Sequence, residues 1–445
     1  MNRKLLILTL LLAGTTLAQD TAPGPRPPAP DSLKLTLRDA VALALKQNPM
    51  VILASLGVSQ SEQERLIARS ALLPQASGNV SETVHRLNLA TAIGFKFPGF
   101  PEHVGPYYVF QMGAGFNAAV FDLTLWRRYH SSRIGIDASR AQEITTREES
   151  VLLVVSQYLG SQRAAADVQA AESRVSLAQA LYDQAADLQK NGVGTGIDTL
   201  RANVELQNEK QRLIVARTQL ETSLFGLARL LNVDPHRPIQ LADQASFSET
   251  PSAAPDQTLE RAYNTRPELR QLLAQEERAT LDLQTAADER LPKLTLNALW
   301  VEQGLAPTSA IPVYQYVASL DFPLFTGGRI QAQRAQASLA IRQLKQQEQD
   351  LRNRIALEVK TAVAQVEAAR GEVTVANLGV DLAQQEVQQA RDRFQAGVAN
   401  NIEVVSAQDA LSRANDNQID ALYRYNQARA DLAHATGQME SLYAR

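Results

Sequence analysis

The stretch FQAGVANNIEVVSAQDALSRA, residues 394–414, reads as the end of one helix, a short turn and the start of a second helix. A segment about two hundred residues earlier, LQKNGVGTGIDTLRANVELQNE at residues 188–209, has nearly the same pattern. Aligning Gly192 with Gly397 brings the two segments into register without a gap. Because the same helix–turn–helix segment occurs twice, the sequence predicts a chain that consists of two structural repeats.

The helices that flank both turns carry a seven-residue repeat. Such heptads are typical of antiparallel coiled-coil hairpins. Helices over 124–190 and 328–395 would each be about 100 Å long at 1.5 Å per residue. We therefore expect two long hairpins with tips at 191–197 and 397–401. Leucine marks the repeat in the first half and alanine in the second: Leu206, Leu213, Leu220, Leu227; Ala407, Ala414, Ala421, Ala428, Ala435.

Alternating apolar residues predict two strands in each half, near 75–122 and near 293–323. Each half then reads helix, strand, strand, very long helix, turn, helix. The expected fold class is mainly α, with a small β part at one end of a helical rod. Four strands cannot close a barrel, which needs about eight, and alone they would expose two edges. The sequence therefore predicts an oligomer whose subunits pool their strands.

The N-terminus has a charged start, a short apolar run and then small residues, which is typical of a secretory signal peptide. An uncleaved membrane anchor is the alternative, but the run is short for a span. The expected organisation is a signal peptide at 1–18, a Pro-rich tether at 19–34, a first repeat at 35–231, a connector at 232–257, a second repeat at 258–437 and a short tail at 438–445.

Composition and motifs exclude several classes of function. The net charge is −3 with no basic block, so nucleic acid is not expected as a partner. The absence of cysteine excludes disulfides, thiolate metal sites, cysteine nucleophiles and an acylated N-terminal cysteine. The five histidines are scattered and no phosphate-binding loop is present. We expect no enzyme activity, no cofactor and no catalytic or metal site.

Taken together, these features resemble the TolC-like outer membrane efflux proteins. The segments that carry the resemblance are LTLRDAVALALKQNP (35–49), VFDLTLWRR (120–128), FPLFTGGRIQAQRAQAS (322–338), the two tip segments and YNQARADLAHATG (425–437). The resemblance implies a homotrimer with a shared twelve-stranded β-barrel in the outer membrane and a hollow helical α-barrel in the periplasm. The implied partners are a periplasmic membrane-fusion adaptor, an inner-membrane transporter of the RND or ABC type, and outer membrane lipid.

The resemblance also implies roles for the hairpin tips. Gly192 and Val193, like Gly397 and Val398, would dock the adaptor, with plain helix capping as the alternative. Asp198 matches a position that holds the periplasmic entrance shut through a basic partner. That basic position is Ala399 here, so other contacts are expected to close the entrance.

The residues expected at the entrance include an acidic ring position. Glu403 matches that position, with an ordinary solvated glutamate as the alternative, and the family's second acidic position is Ser406 here. The remaining contacts expected to close the entrance are Phe394, Asn400 and Asn401.

Aromatic residues near the strand ends suit a belt at the membrane interface; they are Phe95, Phe97, Tyr107, Tyr108, Trp300 and Tyr314. The expected function is a channel-tunnel that exports small molecules or drugs. Type I protein secretion and metal efflux remain open as alternative cargoes. A periplasmic coiled-coil adaptor without a pore is the alternative from a different class.

Overall fold

The computed structural model describes residues 33–89, 91, 94–95, 99, 101–243, 247, 254–396, 398 and 401–444. The predicted signal peptide and most of the tether lie outside these residues, as do Phe97, Gly397, Ala399 and Asn400. The described elements are β1 (Leu33–Leu35), α1 (Leu37–Gln47), α2 (Pro49–Ser70), β2 (Gln75–Asn88), β3 (His103–Phe121), α3 (Leu123–Lys190), α4 (Gly196–Leu231), β4 (Ile239–Leu241), α5 (Pro255–Thr265), α6 (Pro267–Asp288), β5 (Lys293–Gly304), β6 (Ile311–Asp321), α7 (Arg329–Gln395), α8 (Asn401–Ala435) and α9 (Met439–Tyr443).

Two very long helices run through the molecule, as the heptads predict. Helix α3 has 68 residues and α7 has 67. Helix α3 packs against α4, which follows its turn, over one half of its length, and against α2, which precedes the strands, over the other half. Helix α7 packs in the same way against α8 and α6. Helix α3 also packs against α6 and α8, which joins the two halves side by side. The predicted mainly helical fold is confirmed.

Two of the predicted helices are interrupted. The helix before the strands breaks at Asn48 into α1 and α2 in the first half, and at Arg266 into α5 and α6 in the second half. Both residues precede a proline and adopt extended angles, because proline disfavours helical geometry in the residue before it. Among the described residues, no single helix is long and apolar enough to cross a membrane; α1 and α2, bent by 43°, pass that test of length and composition only as a pair.

The four long strands form one antiparallel sheet in the order β2-β3-β5-β6. Strand β2 ends at Asn88 and β3 begins at His103. Strands β2 and β6 are the two edges, and neither edge is paired by another described strand. The sheet lies at the end of the helices opposite the first hairpin tip, since all four strands connect directly to α2, α3, α6 and α7.

A compact core surrounds the middle of α3. Strands β1 and β4 pair in parallel there, and β4 lies inside the expected connector. The tyrosine hydroxyl of Tyr158, on a fully buried side chain, donates to the Leu35 carbonyl oxygen at 3.0 Å. The carboxylate of Glu148 accepts from the backbone N–H of Met439 at 2.7 Å, so α9 in the expected tail is also held against α3. Burial raises the pKa of Tyr158 to about 12.

Candidate functional site

The first hairpin tip is closed by a glycine turn. Gly192 has a φ of 74°, which glycine adopts at low cost. The backbone N–H groups of Val193 and Gly194 both donate to the Leu188 carbonyl oxygen, at 3.0 and 2.9 Å. These hydrogen bonds satisfy a backbone carbonyl group in the last turn of α3. The Val193 side chain is 79% exposed at the tip.

The second tip is described only in part. The backbone N–H of Val398 donates to the Arg393 carbonyl oxygen at 3.0 Å, and the Val398 side chain is exposed. Phe394 lies in the last turn of α7 and Asn401 begins α8, while Gly397 and Asn400 lie outside the described residues. The docking role expected for the two tips stays a prediction.

The acidic residues expected at the entrance have partners within their own hairpins. The Thr195 hydroxyl donates to the Asp198 carboxylate at the start of α4. Glu403 pairs with Arg393 of α7, with Nε and Oε1 2.9 Å apart. Ser406 is exposed, one turn further along α8. The structure therefore brings Glu403 to a cation that the sequence reading did not consider, whereas Asp198 makes a local contact.

An ion-pair cluster that the sequence reading missed joins the two hairpins near their tips. Arg174 of α3 lies 2.8 Å from the Asp416 carboxylate and donates to the Ser412 hydroxyl at 3.0 Å, both on α8. Its Nε faces the Glu209 carboxylate of α4 at 3.4 Å, without a hydrogen bond. The Glu209 side chain is only 6% exposed, and its other oxygen accepts a hydrogen bond from Arg212 of the same helix. A second ion pair between α3 and α8, Arg163 with Asp420 at 2.7 Å, lies further from the hairpin tips.

The missed cluster had a signal in the sequence. Glu209 lies three residues after Leu206, at the other core position of the heptad, where a charge requires a buried partner. The cluster borders a groove of about 310 Å³ between α4 and α8, over α3. Asp198 and Arg201 line the tip end of this groove, and Leu177 and Leu181 line its floor.

The β-sheet has two different faces. Residues paired across the strands share a face. One face carries the aromatic and aliphatic side chains: Val80, Val84, Phe110, Met112, Phe116, Leu296, Trp300, Tyr314, Tyr316 and Leu320. The other face is more polar and carries small and uncharged polar side chains: Gln75, Ser77, Asn79, Ser81, Gln111, Gly113, Gly115, Asn117, Asn297 and Gln315. Five aliphatic side chains lie among them: Val109, Leu299, Val301, Val313 and Val317. The amide of Asn117 donates to the Asn297 side-chain oxygen at 2.6 Å, so the polar side chains bond across strands.

The aromatic residues expected at the membrane interface do not all lie together. Trp300 and Tyr314 are neighbours on the apolar face, with ring centroids 6.0 Å apart, and Tyr108 is exposed on that same face. Tyr107 lies on the polar face instead and stacks on His85 at 5.6 Å, because successive strand residues point to opposite sides. Phe95 is exposed in the loop after β2, and Phe97 lies outside the described residues.

Comparison with known proteins decides the family. The family model for outer membrane efflux proteins matches residues 40–233 and 258–438. The chain belongs to this family. Members are outer membrane channels rather than enzymes, so the family and the outer membrane location predicted from the sequence are confirmed.

Among curated proteins, the chain is similar to the pyoverdine export outer membrane protein OpmQ of Pseudomonas aeruginosa, with 25% identity covering 85% of this chain and 80% of OpmQ. It is similar to the alkaline protease secretion protein AprF of the same organism, with 23% identity covering 92% and 86%. The outer membrane efflux protein BepC of Brucella suis is 22% identical, covering 98% and 91%.

Solved structures show the same fold. The Campylobacter jejuni CmeC outer membrane channel superposes with a TM-score of 0.79 at 18% identity, covering 90% of this chain and 85% of CmeC. The outer membrane protein VceC of Vibrio cholerae gives a TM-score of 0.75 at 17% identity, covering 90% and 96%.

Proposed function

We propose that this outer membrane efflux protein is the exit duct of a trans-envelope export system. Three chains would pool their four strands into a twelve-stranded barrel, with the apolar face against lipid and the polar face lining the pore. The observation that carries the proposal is the two-faced sheet with edges on β2 and β6 that no described strand pairs. A periplasmic coiled-coil adaptor would have no use for such a sheet.

The height of the apolar face fits an outer membrane. The part of this face without charged side chains ends at the row where Glu302 pairs with Met112, and its lower limit is Phe121, where β3 ends. Beyond Met112 the face continues with Glu82, Phe110 and Tyr108. Nine residue steps of β3 at about 3.3 Å each, tilted by about 40°, span about 23 Å. Membrane-spanning barrels have an apolar band about 25 Å tall.

The length of the helices suits a duct that crosses the periplasm. At 1.5 Å per residue, α3 and α7 each extend about 100 Å from the sheet, which suits a periplasmic tunnel. The hairpin tips with Val193 and Val398 would meet an adaptor, and that adaptor would connect the duct to an inner-membrane transporter. Glu403 would border the entrance, while Arg393 and the Arg174 cluster would supply the closing contacts that position 399 does not.

Small molecules are the proposed cargo. OpmQ, at 25% identity, is named for export of pyoverdine. AprF, at 23% identity, is named for secretion of a protease, so protein secretion is the second candidate. Metal efflux stays a third candidate cargo.

Deleting the gene in its own host tests the proposal. The expected result is higher accumulation of dyes and small antibiotics, with extracellular proteins unchanged and full reversal by the wild-type chain. Loss of one secreted protein, without a change in accumulation, would favour protein secretion. The purified chain is also expected to form ion-conducting pores in planar lipid bilayers, and absence of conductance would contradict the duct.

A further inference from the structure

The loop between β6 and α7 carries the two most exposed large apolar side chains in the described part of the chain. Leu324 is 89% exposed and Phe325 is 90% exposed. Gly327 and Gly328 follow with φ values of 58° and 85°, so the chain turns into α7 directly after the two apolar residues. Adjacent apolar side chains displayed in this way mark a surface that another molecule covers.

The loop continues the apolar face of the sheet. On β6, Leu320 faces Leu294 across the strand pair, and Phe322 follows two residues later, so both belong to the apolar face. Phe121, at the end of β3, is also exposed. The loop thus begins where the band of about 23 Å ends, at about the depth expected for the interface between acyl chains and headgroups.

Aromatic and cationic residues lie at the same level. Arg329 forms an ion pair with Glu289, which ties the start of α7 to the end of α6. The next residue after Glu289, Arg290, is exposed and makes no hydrogen bond or ion pair within the described residues. Trp126, in the first turns of α3, is half exposed. Tryptophan and arginine beside an apolar surface are the typical composition of a membrane interface.

We propose that Leu324 and Phe325 insert into the periplasmic leaflet of the outer membrane and that Arg290 binds phospholipid phosphate. The proposal rests on the proposed function, because it takes the apolar face of the sheet as the face against lipid. A second copy of the chain is the other possible cover for the loop. Phospholipid is favoured because the loop is continuous with the apolar face and because no acidic side chain in the described part of the chain pairs with Arg290.

Depth-dependent fluorescence quenching tests this in the full-length protein. The chain has two tryptophans, Trp126 and Trp300. The test protein carries Phe325→Trp with Trp126→Phe and Trp300→Phe, and the reference protein carries Trp126→Phe alone. Both are reconstituted in vesicles of phosphatidylglycerol and phosphatidylethanolamine whose acyl chains are brominated at different depths. We expect the introduced tryptophan to be quenched most by bromine near the headgroups.

The other outcomes overturn the proposal in distinguishable ways. Blue-shifted emission without quenching would show that a second copy covers the loop, and red-shifted emission without quenching would place the loop in water. If the reference tryptophan, Trp300, were not quenched either, the membrane-facing sheet of the proposed function would itself fail. Quenching of Trp300 alone would overturn only the loop insertion.

A charge variant tests the phosphate contact separately. Arg290→Gln in the test protein is expected to abolish the stronger quenching seen in anionic compared with zwitterionic vesicles. Arg201→Gln is the matched control, because Arg201 is an exposed arginine near the hairpin tip. An unchanged lipid preference in the Arg290→Gln variant would remove Arg290 from the proposal.

Discussion

At the scale of single residues, the seam between the two hairpins depends on a few charged side chains. Arg174 contacts three helices, and it shares the buried carboxylate of Glu209 with Arg212 of α4. Glu209 therefore keeps a cation when Arg174 is removed. The contacts of Arg174 with Asp416 and Ser412 join α3 to α8, so we expect the packing of the two hairpins to depend on this side chain.

Replacing Arg174 with alanine should loosen the tip end of the seam. We expect Arg174→Ala to increase single-channel conductance and to sensitise cells to bulky antibiotics, because α8 loses its link to α3. Arg217→Ala is the matched control, since the Arg217–Glu172 pair is exposed and lies within one hairpin. Equal effects of the two variants would show that the inter-hairpin cluster does not restrain the entrance.

Asp167 should make stability depend on pH. Burial raises the pKa of Asp167, with Asp420 and Asp416 adding to the rise and Arg163 opposing it. Its carboxylate is thus less favoured in the folded than in the unfolded chain, so its cost grows as pH rises from the unfolded pKa of about 3.9 through the folded pKa.

The variant Asp167→Asn removes that cost. We expect a higher Tm than wild type at neutral pH, and a difference that shrinks as the pH falls through the folded pKa and is absent below the unfolded pKa of about 3.9. Thermal unfolding of detergent-solubilised protein over a pH series measures both. A stabilisation that persisted unchanged in acid would point to packing instead of charge.

At the scale of elements, the first tip depends on the left-handed backbone of Gly192. No atom lies within 4 Å of where a Cβ would stand, so the requirement is conformational only. We expect Gly192→Ala to lower the free energy of unfolding of the hairpin by about 1 kcal/mol, the cost of a left-handed non-glycine residue. Denaturant unfolding monitored by a tip label measures this.

A glycine inside the same helix provides the control. Gly160, in α3, also has open space where a Cβ would stand, but its backbone is helical. Gly160→Ala should therefore raise stability by about 0.5–1 kcal/mol. If both alanines changed stability in the same direction, the left-handed turn would not be what shapes the tip.

Sequence periodicity predicted the long elements well, and their interruptions poorly. Heptads gave α3, α4, α7 and α8 because the spacing of apolar residues is a local property of the chain. The breaks before Pro49 and Pro267 were readable from the sequence, because the residue before a proline avoids helical angles. The β1–β4 pair was not readable, because each strand has three residues and its partner lies about two hundred residues away.

The contacts at the candidate site were less predictable, because the residues that meet there are far apart in the sequence. The glycine turn at Gly192 could be recognised locally, and the Glu209 charge in the heptad core signalled a buried partner. The identity of that partner could not be read, since Arg174 and Asp416 meet only when the two hairpins pack. Likewise, Tyr107 and Tyr108 could be assigned to opposite faces only once the strand register was known.

At the scale of the whole molecule, one chain is an incomplete wall. Its sheet ends in the edges of β2 and β6, which no described strand pairs, and its helices form a single layer with α4 and α2 on one side and α7 on the other. A surface that pairs one side of a subunit with the opposite side of the next generates a closed ring when the rotation per subunit fits. The central claim is that three chains close this ring in the outer membrane.

Disulfide trapping across the two sheet edges tests that claim most directly, because the chain has no native cysteine. Asn79→Cys on β2 is combined in turn with a cysteine replacing Val313, Gln315, Val317 or Ser319 on β6, all on the polar face. Outer membranes are oxidised and analysed by denaturing electrophoresis. A covalent species of three chains, absent from each single-cysteine variant, is the predicted result. No cross-link in any combination, or a ladder that continues beyond three chains, would contradict the account.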